Sequence, residues 1–228
     1  MWCELLMNLK FLNVLLAAYL WIMPASTLHA ADESPKPIIE RTTENIMSIV
    51  EEAPEYFDND PERFYGEIGA VLDKTIDWRG FARGVMGDYA SSARIRGLDD
   101  AAKAELRSQL EAFTAVIKTG LIRTYAKGLL AFSGSKFEVK DPELPSPDAR
   151  TASVTQLVYG NGGSTYTVRY QMGKYRDGKW RLRNLIVENI NLGQIYQNQF
   201  AAAADAASGD VAAVIAEWDI ASNLPEAL

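Results

Sequence analysis

The sequence predicts an α+β domain in which helices cover one face of a mostly antiparallel sheet. In the first half of the chain, apolar residues recur at three- and four-residue steps, which is the period of helices. From residue 137 the period changes toward two, the period of strands, and Gly-rich turns separate the apolar segments. Helices grouped ahead of a meander of strands favour this fold class.

Four helices are predicted ahead of the sheet. Residues 38–52 carry apolar positions at helical spacing, and Asp60-Pro61 places a capping carboxylate and a first-turn proline at the start of the second helix. The third helix begins at Asp77, and the fourth covers residues 99–127. This last helix carries a continuous apolar stripe, formed by Leu106, Leu110, Phe113, Ile117, Leu121 and Tyr125.

Four strands are predicted after residue 137. They cover residues 137–140, 151–159, 164–174 and 179–187. Hairpin turns are expected at Gly160-Asn161-Gly162-Gly163 and at Asp177-Gly178. In the third strand apolar and polar residues alternate, so one face of the sheet is predicted to be apolar and the other wet. Its apolar positions are Tyr166, Val168, Tyr170 and Met172.

The chain is predicted to return to helix after the sheet. A polar corner at residues 188–191 leads into a helix over residues 192–207. A last helix is predicted over residues 209–221, with Ser208 as its cap.

The first thirty residues are typical of a secretory signal peptide. Lys10 supplies a positive charge, residues 11–23 are apolar with one interruption, and residues 24–30 are a small-residue region suited to cleavage. A membrane-spanning helix needs about 20 apolar residues, so this run is short for a permanent anchor. We expect residues 1–30 to be removed and residues 31–228 to form one exported domain.

Cleavage after Ala30 removes the only cysteine and the only histidine, Cys3 and His29. The remaining chain can form no disulfide, no Cys or His metal site and no Ser-His-Asp triad. A chain of about 200 residues is long enough to depend on an ordinary apolar core. Met1 and Met7 are both candidate starts, since either precedes Lys10 and the apolar run.

The formal net charge is -7, from 23 Lys and Arg against 30 Asp and Glu. An acidic protein is repelled by phosphate backbones and by anionic lipid surfaces, which argues against nucleic acid as a partner. The charge has two interpretations. It serves solubility, or it keeps the protein from adhering to the bulk membrane.

Two sets of motifs resemble catalytic or metal-binding signatures and are rejected. Ser133-Gly-Ser-Lys136 and Lys118-Thr119-Gly120 match elements of penicillin-recognising enzymes, but their order is reversed and the second lies inside a predicted helix. Asp58-Asn59-Asp60 lacks the glycine and the final glutamate of a calcium loop. We therefore predict no catalytic residue, no metal site and no cofactor.

The remaining candidate site residues are apolar, and two interpretations stay open for them: ordinary core, or the wall of a cavity. From the helices they are Phe81, Val85, Phe113, Ile117 and Leu121. From the predicted sheet and its corner they are Tyr166, Val168, Tyr170, Ile186 and Ile190.

Residues 180–200 read W-R-L-R-N-L-I-V-E-N-I-N-L-G-Q-I-Y-Q-N-Q-F, a strand that passes through a polar corner into an amphipathic helix. With Gly87-Asp88-Tyr89 and the long helix after Asp99, this pattern resembles the MlaC, or toluene-tolerance, family of periplasmic phospholipid carriers. The resemblance implies a curved, NTF2-like sheet with a lipid cavity between the sheet and the helices. It implies a phospholipid as cargo rather than a cofactor, and Tyr166, Val168 and Ile190 match positions of the family's pocket wall.

The resemblance also implies two protein partners, an inner-membrane ABC transporter complex and an outer-membrane lipoprotein complex, between which the carrier maintains lipid asymmetry. Alternative cargoes are a hopanoid, a sterol-like molecule or another apolar compound. An NTF2-like enzyme is a further alternative, although such sites commonly use Asp, His or Tyr inside the sheet.

Two arginines on the fourth strand are candidates for partner docking. Arg181 and Arg183 alternate with Trp180 and Leu182, so both arginines are expected on the polar face. A simple solvated face is the alternative interpretation. A docking or head-group patch is favoured by the arginine side chain, because its guanidinium suits the recognition of phosphate.

Overall fold

Five helices precede the sheet within the described residues, and two follow it. The structure, a computed structural model, describes residues 34–146, 148–160 and 162–220. The predicted signal peptide, with its alternative starts, lies outside the described residues. The helices are α1 Pro35–Glu52, α2 Pro61–Thr75, α3 Trp78–Met86, α4 Ser92–Gly97, α5 Asp100–Leu129, α6 Leu192–Ala206 and α7 Val211–Glu217. The strands are β1 Lys136–Val139, β2 Thr151–Tyr159, β3 Thr165–Lys174, β4 Trp180–Val187 and β5 Ile190–Asn191.

The predicted order of helices and strands is confirmed, and most boundaries agree within a few residues. The sequence did not indicate α4 or β5, because six and two residues are too few to show a period. Short 3-10 turns extend α1, α3 and α5 at Ala53–Glu55, Gly87–Ala90 and Leu130–Phe132.

Aspartates cap four of the helices. The side chains of Asp60, Asp77, Asp99 and Asp210 each accept a hydrogen bond from the backbone N–H three residues later. The prediction that Ser208 caps the last helix is wrong, because Asp210 holds that position. Ser208 and Gly209 have φ angles of 56 and 86°, and they turn the chain between α6 and α7.

The strands form an antiparallel meander in the order β1-β2-β3-β4-β5. Directly opposite residues share a face of a sheet. Val154 lies opposite Tyr170, Gln156 opposite Val168, and Ala152 opposite Met172. These residues form the inner face, toward the helices, as the alternation in β3 predicts.

A β-bulge in β4 reverses the alternation of its side chains. Met172 pairs with Leu182, but Gln171 pairs with Asn184, which leaves Arg183 as the extra residue. Beyond the bulge, Leu185 and Val187 therefore lie on the inner face.

The apolar core is divided into three clusters, which we name by position. The helical cluster joins α3, α5, α6 and α7 and includes the fully buried Phe113, Tyr196 and Phe200. The sheet cluster packs Ile38 and Ile39 of α1 against the sheet. The α2 cluster joins the ends of α1 and α5 to Phe64 and Ile68 of α2. Domains usually contain one contiguous core with smaller satellites, whereas the described residues of this chain form three separate clusters.

Candidate functional site

Near the start of β3 and the end of β4, the inner face of the sheet is apolar but lies outside the core clusters. Val168 and Val187 lie opposite each other there, and both side chains are only partly buried. Within the described residues, neither valine belongs to any of the three clusters or packs against one. Two apolar side chains that face the helices without being covered by them indicate an open apolar cleft.

The partly buried sheet residues next to these valines pack against two different clusters. Leu185 and Ile190 pack against the helical cluster, and Leu121 and Tyr125 of α5 pack against the same cluster. Tyr170, two residues from Val168, packs against the sheet cluster instead. The two valines therefore lie between residues of the helical cluster and residues of the sheet cluster.

A chain of neutral hydrogen bonds crosses the inner face beside Val168. The Tyr170 hydroxyl donates to Gln156 Oε1 at 2.6 Å, and Gln156 Nε2 donates to Thr43 Oγ1 at 2.9 Å. Gln156 is only 2% exposed, and burial raises the pKa of Tyr170 above its ordinary value. Tyr170 nevertheless keeps some accessible surface, as expected for a deep residue that borders a hollow. These groups are mutually satisfied and uncharged, and so they suit apolar contact better than acid–base chemistry.

A second neutral pair lies between α5 and α6. The hydroxyls of Tyr125 and Tyr196 are 2.7 Å apart, and either could be the donor. Burial raises the pKa of both tyrosines, and their mutual hydrogen bond further raises that of the fully buried Tyr196. The pair ties the two helices together at the edge of the helical cluster.

Four of the predicted site residues lie inside the helical cluster. Phe81, Val85, Phe113 and Ile117 are all at most 8% exposed. The Phe113 ring contacts the rings of Phe200 and Trp218, with centroids 5.0 and 5.4 Å away. Protein side chains surround these four residues, so they are part of the packed core and do not line the cleft.

The other predicted residues divide between the cleft and the surface. Val168, Tyr170 and Ile190 lie on the inner face at the cleft, whereas Leu121 is partly buried against the helical cluster. Tyr166 is on the inner face but 40% exposed at the end of β3, where its ring meets that of Phe132. The structure does not bring Ile186 to this group, because the bulge places it opposite Arg169 on the outer face.

Leu185 and Val187 are cleft residues that the sequence reasoning missed. Strict alternation from Trp180 places Ile186 on the inner face. The bulge reverses this, so that Ile186 lies on the outer face and its two neighbours lie on the inner face. A signal was present, since two polar residues stand together at Arg183 and Asn184 in an otherwise alternating strand. Such a break in period is what an extra residue in one strand produces.

Arg181 and Arg183 lie on the outer face, as predicted. The guanidinium carbons lie 4.7 and 4.8 Å from the centre of the Tyr175 ring, so both arginines stack on the same tyrosine. Arg181 also forms an ion pair with Asp177 at 2.5 Å, and this contact holds the pKa of the Asp177 carboxyl below its ordinary value.

Other site classes find no support among the residues that the structure describes. No group of three or more His, Cys, Asp or Glu side chains converges there as a metal site would require. No helix in the same part of the chain has the length and apolar character to cross a membrane. A hollow of about 260 Å³ lies outside the cleft, between the end of α1 and Leu130.

Comparison with known proteins agrees with this architecture. The profile of the MlaC protein family matches residues 40–219. The chain belongs to the MlaC family. Its relatives include the toluene tolerance protein ttg2D of Pseudomonas putida, which is 28% identical over 208 residues, 91% of this chain and 87% of that protein.

A solved structure shares the fold of this MlaC family member. It is the phospholipid-binding protein from Ralstonia solanacearum in complex with a phospholipid, with a TM-score of 0.67. The match covers 81% of this chain and 94% of that one at 16% identity. The predicted family and the α+β fold class are thus confirmed.

Proposed function

We propose that this chain is a periplasmic phospholipid carrier that holds acyl chains in the cleft between the sheet and the helices. The observation that carries the proposal is the pair Val168 and Val187, which is apolar, faces inward and is left uncovered by the three core clusters. The phospholipid bound to the Ralstonia solanacearum protein of the same fold supports this choice of cargo.

A hollow apolar cleft meets the physical requirement of the task. Two acyl chains hold roughly 30 methylene groups, and exposing them to water costs on the order of 25 kcal/mol at about 0.8 kcal/mol each. In a dry cleft, the acyl chains are shielded from water as they are in the bilayer, so the lipid has nearly the same free energy in both places. Small differences at docking sites can then determine the direction of transfer.

We further propose that the carrier exchanges lipid between an outer-membrane lipoprotein complex and an inner-membrane ABC transporter complex, and so maintains the asymmetry of the outer membrane. Membership of the MlaC family supports these partners, and the predicted signal peptide supports the periplasmic location. No catalytic step is needed, because the cleft presents apolar side chains and neutral, satisfied hydroxyl and amide groups.

The test is to purify the protein from its own periplasm and to compare its mass under native and denaturing conditions. Release of a phospholipid by denaturation is the expected result. Release of a hopanoid or a sterol-like molecule would keep the carrier function and change the cargo. Well-folded protein that releases no amphiphile would contradict the proposal.

A further inference from the structure

A groove of about 630 Å³ lies on the outer face of the sheet, opposite to the cleft. It is bordered by Leu144 and Pro145 of the loop after β1, by Thr151 and Ser153 of β2, and by Arg183 at the bulge. Leu144 is 43% exposed, so an apolar side chain is presented to solvent beside a cation. The volume falls within the roughly 300–1,000 Å³ that is typical of ligand-binding clefts.

The Arg183 guanidinium is held in a defined position. Its Nε donates to the Tyr175 hydroxyl at 3.2 Å, and the group stacks on the Tyr175 ring. Gly173 on the neighbouring strand provides the space, since a Cβ there would lie 2.2 Å from Nε and 2.4 Å from Cζ of Arg183. The bulge, the glycine and the tyrosine together fix a planar donor whose Nη atoms are not used by the Tyr175 contact.

Two polar groups of the groove keep unused hydrogen-bonding capacity. Among the described residues, no carboxylate lies within ion-pairing distance of Arg183, although Glu143 also borders the groove. In the same part of the chain, the buried Ser153 hydroxyl has no hydrogen-bond partner. In a protein of net charge -7, a fixed arginine that has no carboxylate partner among the described residues makes this groove a site suited to an anion.

We infer that this groove binds an extended, acidic segment of a partner protein, with a carboxylate on Arg183 and an apolar side chain on Leu144 and Pro145. The flat fork of arginine matches a carboxylate with two parallel hydrogen bonds. A single arginine in a concave groove is poorly suited to a flat membrane surface, and the acidic protein is repelled by anionic lipid. The inference rests on the proposed carrier function in one respect, since a carrier must dock to its partners. Peptide binding itself can be measured without lipid.

The experiment selects peptides from a random-peptide display library on the immobilised exported chain and measures the affinity of synthetic copies by fluorescence anisotropy. We expect the selected peptides to share an Asp or Glu close to an apolar residue. Arg183→Gln should weaken their binding about tenfold to a hundredfold, the range for a lost charge-assisted contact. Changing the peptide's Asp or Glu to Asn or Gln should weaken binding to a similar extent. Combining this peptide with Arg183→Gln should weaken binding little more than either change alone, because both remove the same contact.

Two further variants keep the test independent of the stability of Arg183→Gln. Gly173→Ala should also weaken binding, because the new Cβ displaces the guanidinium, and a flexible side chain can yield without unfolding the protein. Arg107→Gln, an exposed cation on α5, is the control and should leave binding unchanged. Circular dichroism verifies that each variant is folded.

Three outcomes would overturn the inference: no peptide is enriched, the enriched peptides lack an acid, or their affinity does not depend on Arg183 and Gly173. Vesicles containing phosphatidylglycerol provide the competing arm. Vesicle binding that falls in Arg183→Gln, without peptide binding, would assign the groove to a lipid head group instead. The phospholipid content of the same preparations is measured separately, so failure of the carrier function is distinguishable from failure of the groove.

Discussion

Val168 provides the sharpest test of whether the inner face borders a cleft or a packed core. Val168→Ala removes two methyl groups, worth at most about 1.6 kcal/mol if both were fully buried, at about 0.8 kcal/mol each. Val168 is only partly buried and packs against none of the described clusters, so the loss of stability should be well below that limit. Phe113→Ala, inside the helical cluster, should cost about 3 to 5 kcal/mol.

The charged variant Val168→Asp separates stability from cargo. In the lipid-free protein the carboxylate can remain hydrated, because the cleft is open to water. With acyl chains present it must be desolvated without a partner, which costs several kcal/mol. We therefore expect a folded protein whose bound phospholipid falls at least about tenfold. Thr165→Asp, on the outer face of the same strand, should keep its lipid.

The assay is urea unfolding of delipidated variants, followed by circular dichroism, alongside bound lipid quantified by mass spectrometry. If Val168→Ala cost as much as Phe113→Ala, Val168 would be part of a packed core. If Val168→Asp retained its full lipid load, the acyl chains would lie elsewhere. Either result would refute the assignment of the cleft.

Three other predictions use different features. Val187→Asp should deplete bound lipid while Ile186→Asp should not, because the bulge puts only Val187 inward; equal lipid loads would contradict this. Burial raises the pKa of Tyr196, so the neutral phenol stabilises the folded state fully below pH 10.0, the ordinary pKa of tyrosine, and this stabilisation is lost as the pH rises further. Tyr196→Phe should therefore make the free energy of unfolding fall less steeply at alkaline pH. Asp60→Ala should lower stability by about 1 kcal/mol in urea unfolding, because α2 loses its cap; no change would show that the cap is dispensable.

The sequence was informative wherever local chemistry determines structure. Aspartates at positions 60, 77 and 99 mark helix starts, and the alternation in β3 assigns the inner face correctly. The last helix was different, because Ser208 and Asp210 are both good caps and the turn through Gly209 decides between them. Local signals of this kind identify elements better than they identify boundaries.

Site residues were harder to predict because burial depends on what lies across the interior. Phe113 and Leu121 occupy the same apolar stripe of α5, yet the first is fully buried and the second is only partly buried at the edge of the same cluster. Nothing in the helical period distinguishes the two positions. The wrong placement of Ile186 on the inner face has another cause. One extra residue in β4 moves every later side chain to the opposite face, so Val187 lies inward instead.

The division of the core bears on how the empty protein unfolds. A single contiguous core tends to melt as one cooperative unit, whereas separately packed groups can open one at a time. Here two helices link them: α5 places Phe113 in the helical cluster and Ile122 in the α2 cluster, and α1 places Ile39 in the sheet cluster and Val50 in the α2 cluster. Amide hydrogen exchange in the lipid-free state should therefore resolve more than one opening free energy. A bound lipid would contact more than one cluster and would bring their opening free energies together. Filling the cleft would then make the whole domain unfold as one cooperative unit.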